Sequence, residues 1–442
     1  MSIANRRWAL FAILAAAFAA PMAYSLYFHI RPAVDAAAYD TIALNILAGK
    51  GFVERNSENI LFDNSISRAG PVYEYFLAGI YAVAGHHYEA VWFVQALLHA
   101  ATALLLFLIA RSVFLESGAV IGLATAAIFG LHPDLIEISA MLMTETLYLF
   151  LVTLAIFLFV KVWERPDRLW LGGLFGFVMG GAILARPPVL FFLPIIAIFY
   201  AFRRRYAALA VFAAVLALTL TPWVVRNYQI YHQVVLTTMI GEYNIWIGNT
   251  LVSSGGQLSE GYNPASQYTT TYGYEGFKDA ARSHFWAFTL EHPFVMVKLV
   301  LLRMVRYFSL IRPMGFWFYQ QGIGQAVFIA SSLVAIAFLF IAGFSGLVMA
   351  LYERKKLFYY LAGFALAAPV ALLPAVVESR YRFQIYPFLA LFSAYFVVRG
   401  WRDHRAAQKP LLLAGGVLLA VSAIDVVVFW QTVYERLAPI FQ

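Results

Sequence analysis

Membrane-length apolar runs recur along this chain and constrain its fold more than any other feature. Runs near 20 apolar residues cross a bilayer as helices, and hydrophobic residues make up 62% of the 442. Charged residues supply only 12%, against about 25% in soluble domains. The sequence therefore predicts an all-α polytopic membrane protein with about eleven spans. The predicted spans cover residues 8–30, 89–110, 119–132, 143–160, 169–185, 189–202, 206–225, 324–351, 357–376, 383–398 and 410–430.

Lysine and arginine positions predict the orientation. With the N-terminus in the cytoplasm, 16 of the 31 basic residues lie at the inner ends of spans. Most of the others fall in two long segments, and the positive-inside rule concerns short loops, so they do not argue against this orientation. We expect one membrane domain over residues 1–442, with 31–88 as the first outer loop and 226–323 as a long outer loop.

One apolar stretch, from Phe294 to Leu310, carries Lys298, Arg303 and Arg306. Its apolar residues repeat at helical spacing, so the predicted helix has an apolar face and a basic face. This pattern is typical of a helix that lies in the membrane surface. If the stretch were counted as a span, the basic cluster at residues 353–356 would move to the outer side, against the charge bias.

Missing motifs exclude several classes. Neither GxxxxGK[ST] nor GxGxxG after a strand is present, so we expect no site for ATP or a nucleotide sugar. HExxH and Cys/His clusters are also missing, and we interpret His86 and His87 as a solvated loop pair rather than a zinc site. The net charge of +8 reflects inner loops and membrane lipids as partners, and we expect no nucleic acid.

The segment that follows the first span reads RPAVDAAAYDTIALNILAGKGF, from Arg31 to Phe52. If Asp35 begins a helix, apolar residues from Tyr39 onward fall on one face and Gly49 ends it. That predicts a short helix on the membrane surface. A carboxylate near hydrocarbon is costly and indicates a functional site; the alternative is that Asp35 only caps the helix.

Further ionisable residues gather at the outer ends of the predicted spans. Arg68 begins RAGPVYEYFLAGIY. Its guanidinium suits a phosphate at headgroup depth; the alternative is an ordinary cation whose side chain extends to the membrane interface. Glu145, in LMTETLYLF, either stabilises a helix N-terminus or faces a polar cavity, and we favour the cavity. Arg186 and Arg226 lie beside proline and aromatic residues, so interfacial anchoring is the alternative to a place in the site, and we favour anchoring for Arg186.

These motifs occur in a fixed order. An early Asp followed by Tyr and a GKGF ending precedes RAGPVYEYFLAGIY, TETLYLF, ARPPVLF, PWVVRNY with YNIWIGNT, and finally ESRYRFQIYPFLAL. The ordered set resembles the bacterial branch of GT-C membrane glycosyltransferases, from about residue 5 to 430. It is similar to lipid A aminoarabinose transferases and protein O-mannosyltransferases, and closer to bacterial mannosyltransferase-like proteins.

The resemblance implies an inverting enzyme of the bacterial inner membrane. It implies transfer of a sugar from a polyprenyl phosphate to a lipid, glycan or protein acceptor at the outer face. We expect Asp35 as the catalytic base, Arg68, Arg380 and Arg382 at the donor phosphate, and Tyr39, Glu145, Arg226 and Tyr381 in the substrate cavity. Many relatives have an acidic pair at the first site, whereas here Ala36 follows the Asp. We expect no metal cofactor, with a divalent metal as the alternative.

Two other classes remain open. A flippase or transporter of polyprenyl-linked sugars would use the same carboxylates as a proton relay. Against it, the charged groups cluster at one face rather than at mid-membrane, and no pair of broken helices in matching halves is visible. An inactive scaffold protein is the third class.

Overall fold

The computed structural model describes residues 3–55, 58–115, 117–256, 263–311 and 319–438, and these ranges contain helices but no strand. Residues 56–57, 257–262 and 312–318 of the two predicted outer loops lie outside the described part. The α-helices are α1 (Ile3–Phe28), α2 (Asp35–Leu47), α3 (Pro71–Ala84), α4 (Tyr88–Val113), α5 (Gly118–Gly130), α6 (Pro133–Ser139), α7 (Thr144–Glu164), α8 (Leu169–Ala185), α9 (Leu193–Phe202), α10 (Tyr206–Tyr231), α11 (Ile240–Gly248), α12 (Pro264–Tyr272), α13 (Phe277–Glu291), α14 (Pro293–Phe308), α15 (Ile323–Tyr352), α16 (Lys356–Leu372), α17 (Tyr386–Arg402), α18 (His404–Val428) and α19 (Trp430–Leu437). Short 3₁₀ helices cover Ile60–Phe62, Asn64–Ser67, Pro187–Phe192 and Ser379–Ile385.

The described residues contain seven helices long and apolar enough to cross a membrane: α1, α4, α7, α10, α15, α18, and α17 with the 3₁₀ helix before it. The number rises to nine if the bent pairs α5–α6 and α13–α14 each count as one span. The all-α polytopic class is therefore confirmed. The count of eleven is not, because four predicted spans fall on the bent pair α5–α6 or on the shorter apolar helices α8, α9 and α16.

The first long segment begins as predicted. Helix α2 starts at Asp35, and Gly49, with a φ of 74°, follows its end. The residue at the N-cap is Val34, and no side chain caps the helix. Asp35 therefore does not act as the N-cap, and its carboxylate is available for other partners.

The two long segments bond to each other beside Arg68. The backbone N–H of Met239 donates to the carbonyl of Ile66 at 2.8 Å, and that of Tyr274 donates to the carbonyl of Leu61 at 2.7 Å. The Tyr274 hydroxyl also donates to Asn64 Oδ1 at 3.0 Å. Irregular backbone must find partners for its polar groups, and here each segment supplies them to the other.

The amphipathic helix predicted at residues 294–310 is α14, but two of its three basic side chains are buried in the protein, and only Lys298 is exposed. Arg303 and Arg306 are buried, whereas Phe294 and Val297 are 89% and 58% exposed. Helix α14 thus presents apolar side chains outward and buries the guanidinium groups that the sequence pattern assigns to the membrane surface.

Close packing between α15 and α17 fixes the position of the Ser379–Ile385 turn, which leads directly into α17. A Cβ at Gly346 of α15 would overlap the backbone carbonyl of Phe392, and one at Gly343 would come within 2.9 Å of the Leu389 side chain. Small residues allow helix backbones to approach this closely in membranes.

We expect Gly346→Ala to lower the free energy of unfolding by about 2 kcal/mol, because the added methyl group forces two helix backbones apart. Equilibrium unfolding in mixed detergent micelles measures this change. Gly416→Ala in α18 is the matched control: its added Cβ meets no atom within 4 Å, so helix propensity makes it neutral or slightly stabilising. Equal effects of the two substitutions would contradict the tight crossing.

Candidate functional site

A cavity of about 320 Å³ opens at the end of the bundle where α2, α7, α8, α11 and α16 meet the Ser379–Ile385 turn. Six of the eight sequence-predicted site residues line it: Asp35, Tyr39, Arg68, Glu145, Arg380 and Tyr381. Much of the remaining lining is apolar, including Pro187, Leu190, Phe191, Ile240, Ile245 and Leu372. The cavity therefore combines a charged part with an apolar part.

Asp35 lies between two arginines. Its Oδ2 accepts a hydrogen bond from Arg380 Nη2 at 2.7 Å, and its Oδ1 accepts one from Arg68 Nη1 at 3.2 Å. The Asp35 side chain remains 22% exposed. One carboxylate thus joins two guanidinium groups while still facing the cavity.

These ion pairs determine the pKa of Asp35. Burial alone raises the pKa of the carboxyl, but the positive charges of Arg380, Arg68 and Arg186 outweigh burial and hold the pKa below its usual range. Asp35 is therefore ionised at neutral pH. Because the pKa is lower in the folded state, the ion pairs stabilise the fold above the usual Asp pKa of about 3.9, and this stability is lost as the pH falls through the folded value.

Glu54 is a site residue that the sequence analysis missed. Its carboxylate is 3% exposed and accepts two hydrogen bonds from Arg68, from Nε at 2.8 Å and from Nη2 at 2.8 Å. Asp63 holds the backbone beneath it, because its carboxylate accepts from the N–H groups of Glu54 and Arg55 at 2.9 and 2.7 Å. Glu54 therefore fixes the Arg68 guanidinium in one orientation.

Glu145 forms a second ion pair in the cavity. Its Oε1 lies 2.7 Å from Arg186 Nη1, and its side chain is 1% exposed. Arg186 also lies over the rings of Tyr148 and Tyr381, at 5.7 Å from each centroid. Arg186 therefore lies in the site, because its guanidinium pairs with Glu145 instead of anchoring the interface as the sequence analysis favoured. Glu145 faces the cavity, as the sequence analysis favoured.

The structure does not bring Arg382 or Arg226 to the cavity lining. Arg382 is 1% exposed and donates to two backbone carbonyls, of Ser309 at 2.6 Å and of Ser379 at 3.2 Å. Arg226 donates to the carbonyl of Phe52 at 3.1 Å and lies over the Trp223 ring. The roles predicted for these two residues remain predictions that this geometry does not support.

Helix α2 carries a second carboxylate, on Asp40. This carboxylate lies outside the cavity and holds the helix in place. It accepts hydrogen bonds from the hydroxyls of Tyr81 at 2.6 Å and Tyr88 at 3.1 Å, and its Oδ1 lies 3.0 Å from His86 Nε2. These partners lie on α3, on α4 and in the turn between them. His86, interpreted from sequence as a solvated residue, thus helps to fix the helix that carries Asp35.

Formal charges in and around the cavity balance. Three carboxylates, on Asp35, Glu54 and Glu145, face the three guanidinium groups of Arg68, Arg186 and Arg380. Among the described residues, no group of three or more His, Cys, Asp or Glu side chains is arranged to hold a metal ion. The charged groups form two sets of ion pairs, Glu54–Arg68–Asp35–Arg380 and Glu145–Arg186, and arginine supplies the positive charge in both.

Solved structures with a similar fold include those of two proteins. Archaeal oligosaccharyltransferase AglB from Archaeoglobus fulgidus, in complex with an inhibitory peptide and a dolichol-phosphate, matches with a TM-score of 0.53 and 15% identity over 99% of this chain. ArnT from Cupriavidus metallidurans, bound to undecaprenyl phosphate, matches with a TM-score of 0.53 and 12% identity over 97% of this chain and 74% of ArnT. The chain spans 56% of the length of AglB. Both are GT-C glycosyltransferases, so the molecule has the GT-C fold.

Sequence comparison points to the same class. Residues 68–240 match the family model of the dolichyl-phosphate-mannose-protein mannosyltransferases. Comparison with curated protein sequences gives no match. The resemblance to GT-C membrane glycosyltransferases is confirmed, in fold over nearly the whole chain and in sequence over the segment that runs from Arg68 through Glu145 and Arg186 to α11.

We expect Glu54→Gln to lower the free energy of unfolding by about 2 kcal/mol, because an amide cannot accept both bonds of the Arg68 fork. The expected loss is below the roughly 3–5 kcal/mol of a fully buried pair, since the Arg68 side chain is 21% exposed. Unfolding in mixed micelles measures it, with the exposed Glu58→Gln as the control. An unchanged midpoint for Glu54→Gln would show that the pair contributes nothing to the fold.

Proposed function

We propose that this protein is an inverting glycosyltransferase that moves a sugar from a polyprenyl-phosphate donor to a lipid, glycan or protein acceptor. The observation that carries the proposal is the position of Asp35, held between Arg68 and Arg380 in a cavity with an extended apolar lining. The donor has three parts, and each meets matching chemistry: arginines for the phosphate, a carboxylate beside the reacting carbon, and apolar side chains for the prenyl chain.

The donor phosphate binds to Arg68 and Arg380. Guanidinium groups pair with phosphate through charge-assisted, often bidentate hydrogen bonds. Because the cavity charges already balance, an entering phosphate must replace Asp35 as a partner of these arginines. Glu54 keeps Arg68 in place during this exchange through its own two bonds. Donor binding thereby weakens the ion pairs that lower the pKa of Asp35 and makes this carboxylate a better base.

Asp35 acts as the general base in the transfer step. The acceptor hydroxyl attacks the anomeric carbon from the face opposite the phosphate, and its proton passes to a carboxylate oxygen of Asp35. The bond between the anomeric carbon and the phosphate oxygen breaks, and its electron pair stays on that oxygen. Arg68 and Arg380 stabilise the charge that grows on the departing polyprenyl phosphate. The sugar leaves with inverted configuration.

We assign the reaction to the outer face of a bacterial inner membrane. The site lies at the start of α7 and at the end of α8, away from the short basic turns, and the positive-inside rule places such turns in the cytoplasm. Helices α11 to α14, which belong to the long segment 226–323, cover the same end of the bundle. Outer segments of this kind often carry specificity. We therefore assign acceptor selection to this segment.

One assay separates the transferase from the two other classes. The purified full chain in lipid discs receives a radiolabelled polyprenyl-phosphate sugar and an acceptor extract, and the lipid products are resolved. A transferase releases polyprenyl phosphate and labels the acceptor. Intact donor that only changes leaflet, measured in sealed vesicles, would establish a flippase instead. If the protein neither transfers the sugar nor moves the donor, it is a scaffold.

Asp35→Asn should reduce turnover roughly 100- to 10,000-fold, the range expected for loss of a positioned base. Donor binding should persist or tighten, because Asn no longer competes with the phosphate for two arginines. Turnover with labelled donor and donor titration measure the two effects separately. Asp167→Asn, an exposed acid in the turn between α7 and α8 at the opposite end of the bundle, is the control. Turnover within threefold of wild type would remove Asp35 from the catalytic role.

Arg68→Ala should weaken donor binding more than Arg68→Lys does, because lysine keeps the charge and loses only the fork. Removing a charge-assisted contact costs about 1.5–3 kcal/mol, which titration of donor binding resolves. Arg31→Ala, an exposed cation of the same segment, serves as the control. Equal donor affinities for wild type and Arg68→Ala would return Arg68 to the role of a structural cation.

Transfer should persist in excess EDTA, because arginine rather than a divalent cation faces the departing phosphate. Magnesium prefers sets of oxygen ligands, and the cavity carboxylates are each paired with an arginine. Turnover before and after chelation measures the dependence. Activity that disappears in EDTA and returns with manganese or magnesium, but not with added salt, would establish a metal site.

A further inference from the structure

A second cavity lies at the opposite end of α17. Its volume is about 290 Å³, and it opens between the α4–α5 turn, the α15–α16 turn and the last turns of α17. Helix α17 has 17 residues and rises 1.5 Å per residue, so about 25 Å separates its two ends. This cavity is therefore distinct from the candidate site, which lies at the start of α17.

The cavity has a rigid aromatic and acidic base. The rings of Phe114 and Tyr395 stack with centroids 4.7 Å apart and an interplanar angle of 12°, and both residues are buried. The Tyr395 hydroxyl donates to one oxygen of Glu353, and Lys355 Nζ lies 2.6 Å from the other. Both oxygens of this carboxylate are thus occupied.

Two further cations line the cavity, Arg399 and Arg402. They are three residues apart on α17, so their side chains share a face and repel each other. Neither guanidinium has a hydrogen bond or ion pair with any residue in the described part of the chain. Three cations therefore surround one carboxylate that Lys355 already neutralises, and the arrangement favours binding of an anion.

The rim of this cavity is apolar and faces outward. Leu115, which lines it, is 88% exposed. Trp401 of the same helix end lies outside the lining, on another face of α17, and is 81% exposed. Tryptophan is enriched where helices meet lipid headgroups, and forked guanidinium groups suit phosphate. We propose that this cavity binds the phosphate of an anionic phospholipid headgroup, with the acyl chains beside Leu115.

Native mass spectrometry of the full chain tests the proposal. The protein is transferred from discs that contain phosphatidylglycerol and phosphatidylcholine, and the bound lipids are counted. Arg399→Gln/Arg402→Gln should lower phosphatidylglycerol affinity roughly 10- to 30-fold, since each juxtamembrane cation contributes about 1 kcal/mol. Arg399→Lys/Arg402→Lys keeps the charge and should retain most of the binding, which separates a lost site from a misfolded protein.

The matched control is Arg165→Gln/Arg168→Gln. These exposed arginines have the same spacing, lie at the same end of the bundle between α7 and α8, and do not line the cavity. Unchanged phosphatidylglycerol binding in this control supports a defined site, whereas equal losses in both double variants would overturn it in favour of general surface charge. Displacement of phosphatidylglycerol by an equal concentration of inorganic phosphate would overturn the lipid assignment.

Discussion

The carboxylate of Asp35, held between Arg68 and Arg380, is the interaction on which the candidate site depends. It joins the first long segment to a turn 345 residues further along the chain. A largely buried charge that loses its partner destabilises the fold, so these three residues constrain one another and the elements that carry them. Helix α2 receives a second constraint from Asp40, and the turn before α17 receives one from the α15–α17 packing.

The balance of charges gives this structural interaction a role in the proposed reaction. A cavity with unpaired arginines would bind any anion, and a cavity with an unpaired Asp35 would repel phosphate. In the proposed mechanism Asp35 is a replaceable partner, so the phosphate that enters the arginine pair also releases the base. Glu54 and Glu145 differ from Asp35 in this respect, because their side chains are only 3% and 1% exposed and each is committed to one arginine.

The sequence was sufficient to predict the helical membrane fold, the start of α2 and six residues of the cavity lining. It did not separate Arg380 from Arg382, which belong to one short motif. That motif forms a 3₁₀ helix with about three residues per turn, so residues two apart point in different directions. Only Arg380 faces the cavity. Glu54 left no periodic signal, because it lies in irregular backbone and its partner is 14 residues away in another irregular stretch.

Arg303 shows why the charge pattern of a helix does not by itself predict where a basic side chain lies. On a surface helix its guanidinium would face lipid headgroups, yet it donates to the carbonyls of Gly248, at the end of α11, and of Leu373, just after α16, the latter at 2.9 Å. The last carbonyls of a helix lack partners within it and carry partial negative charge. One arginine therefore satisfies the ends of two helices that line the cavity. Arg303 thus joins two walls of the site from behind.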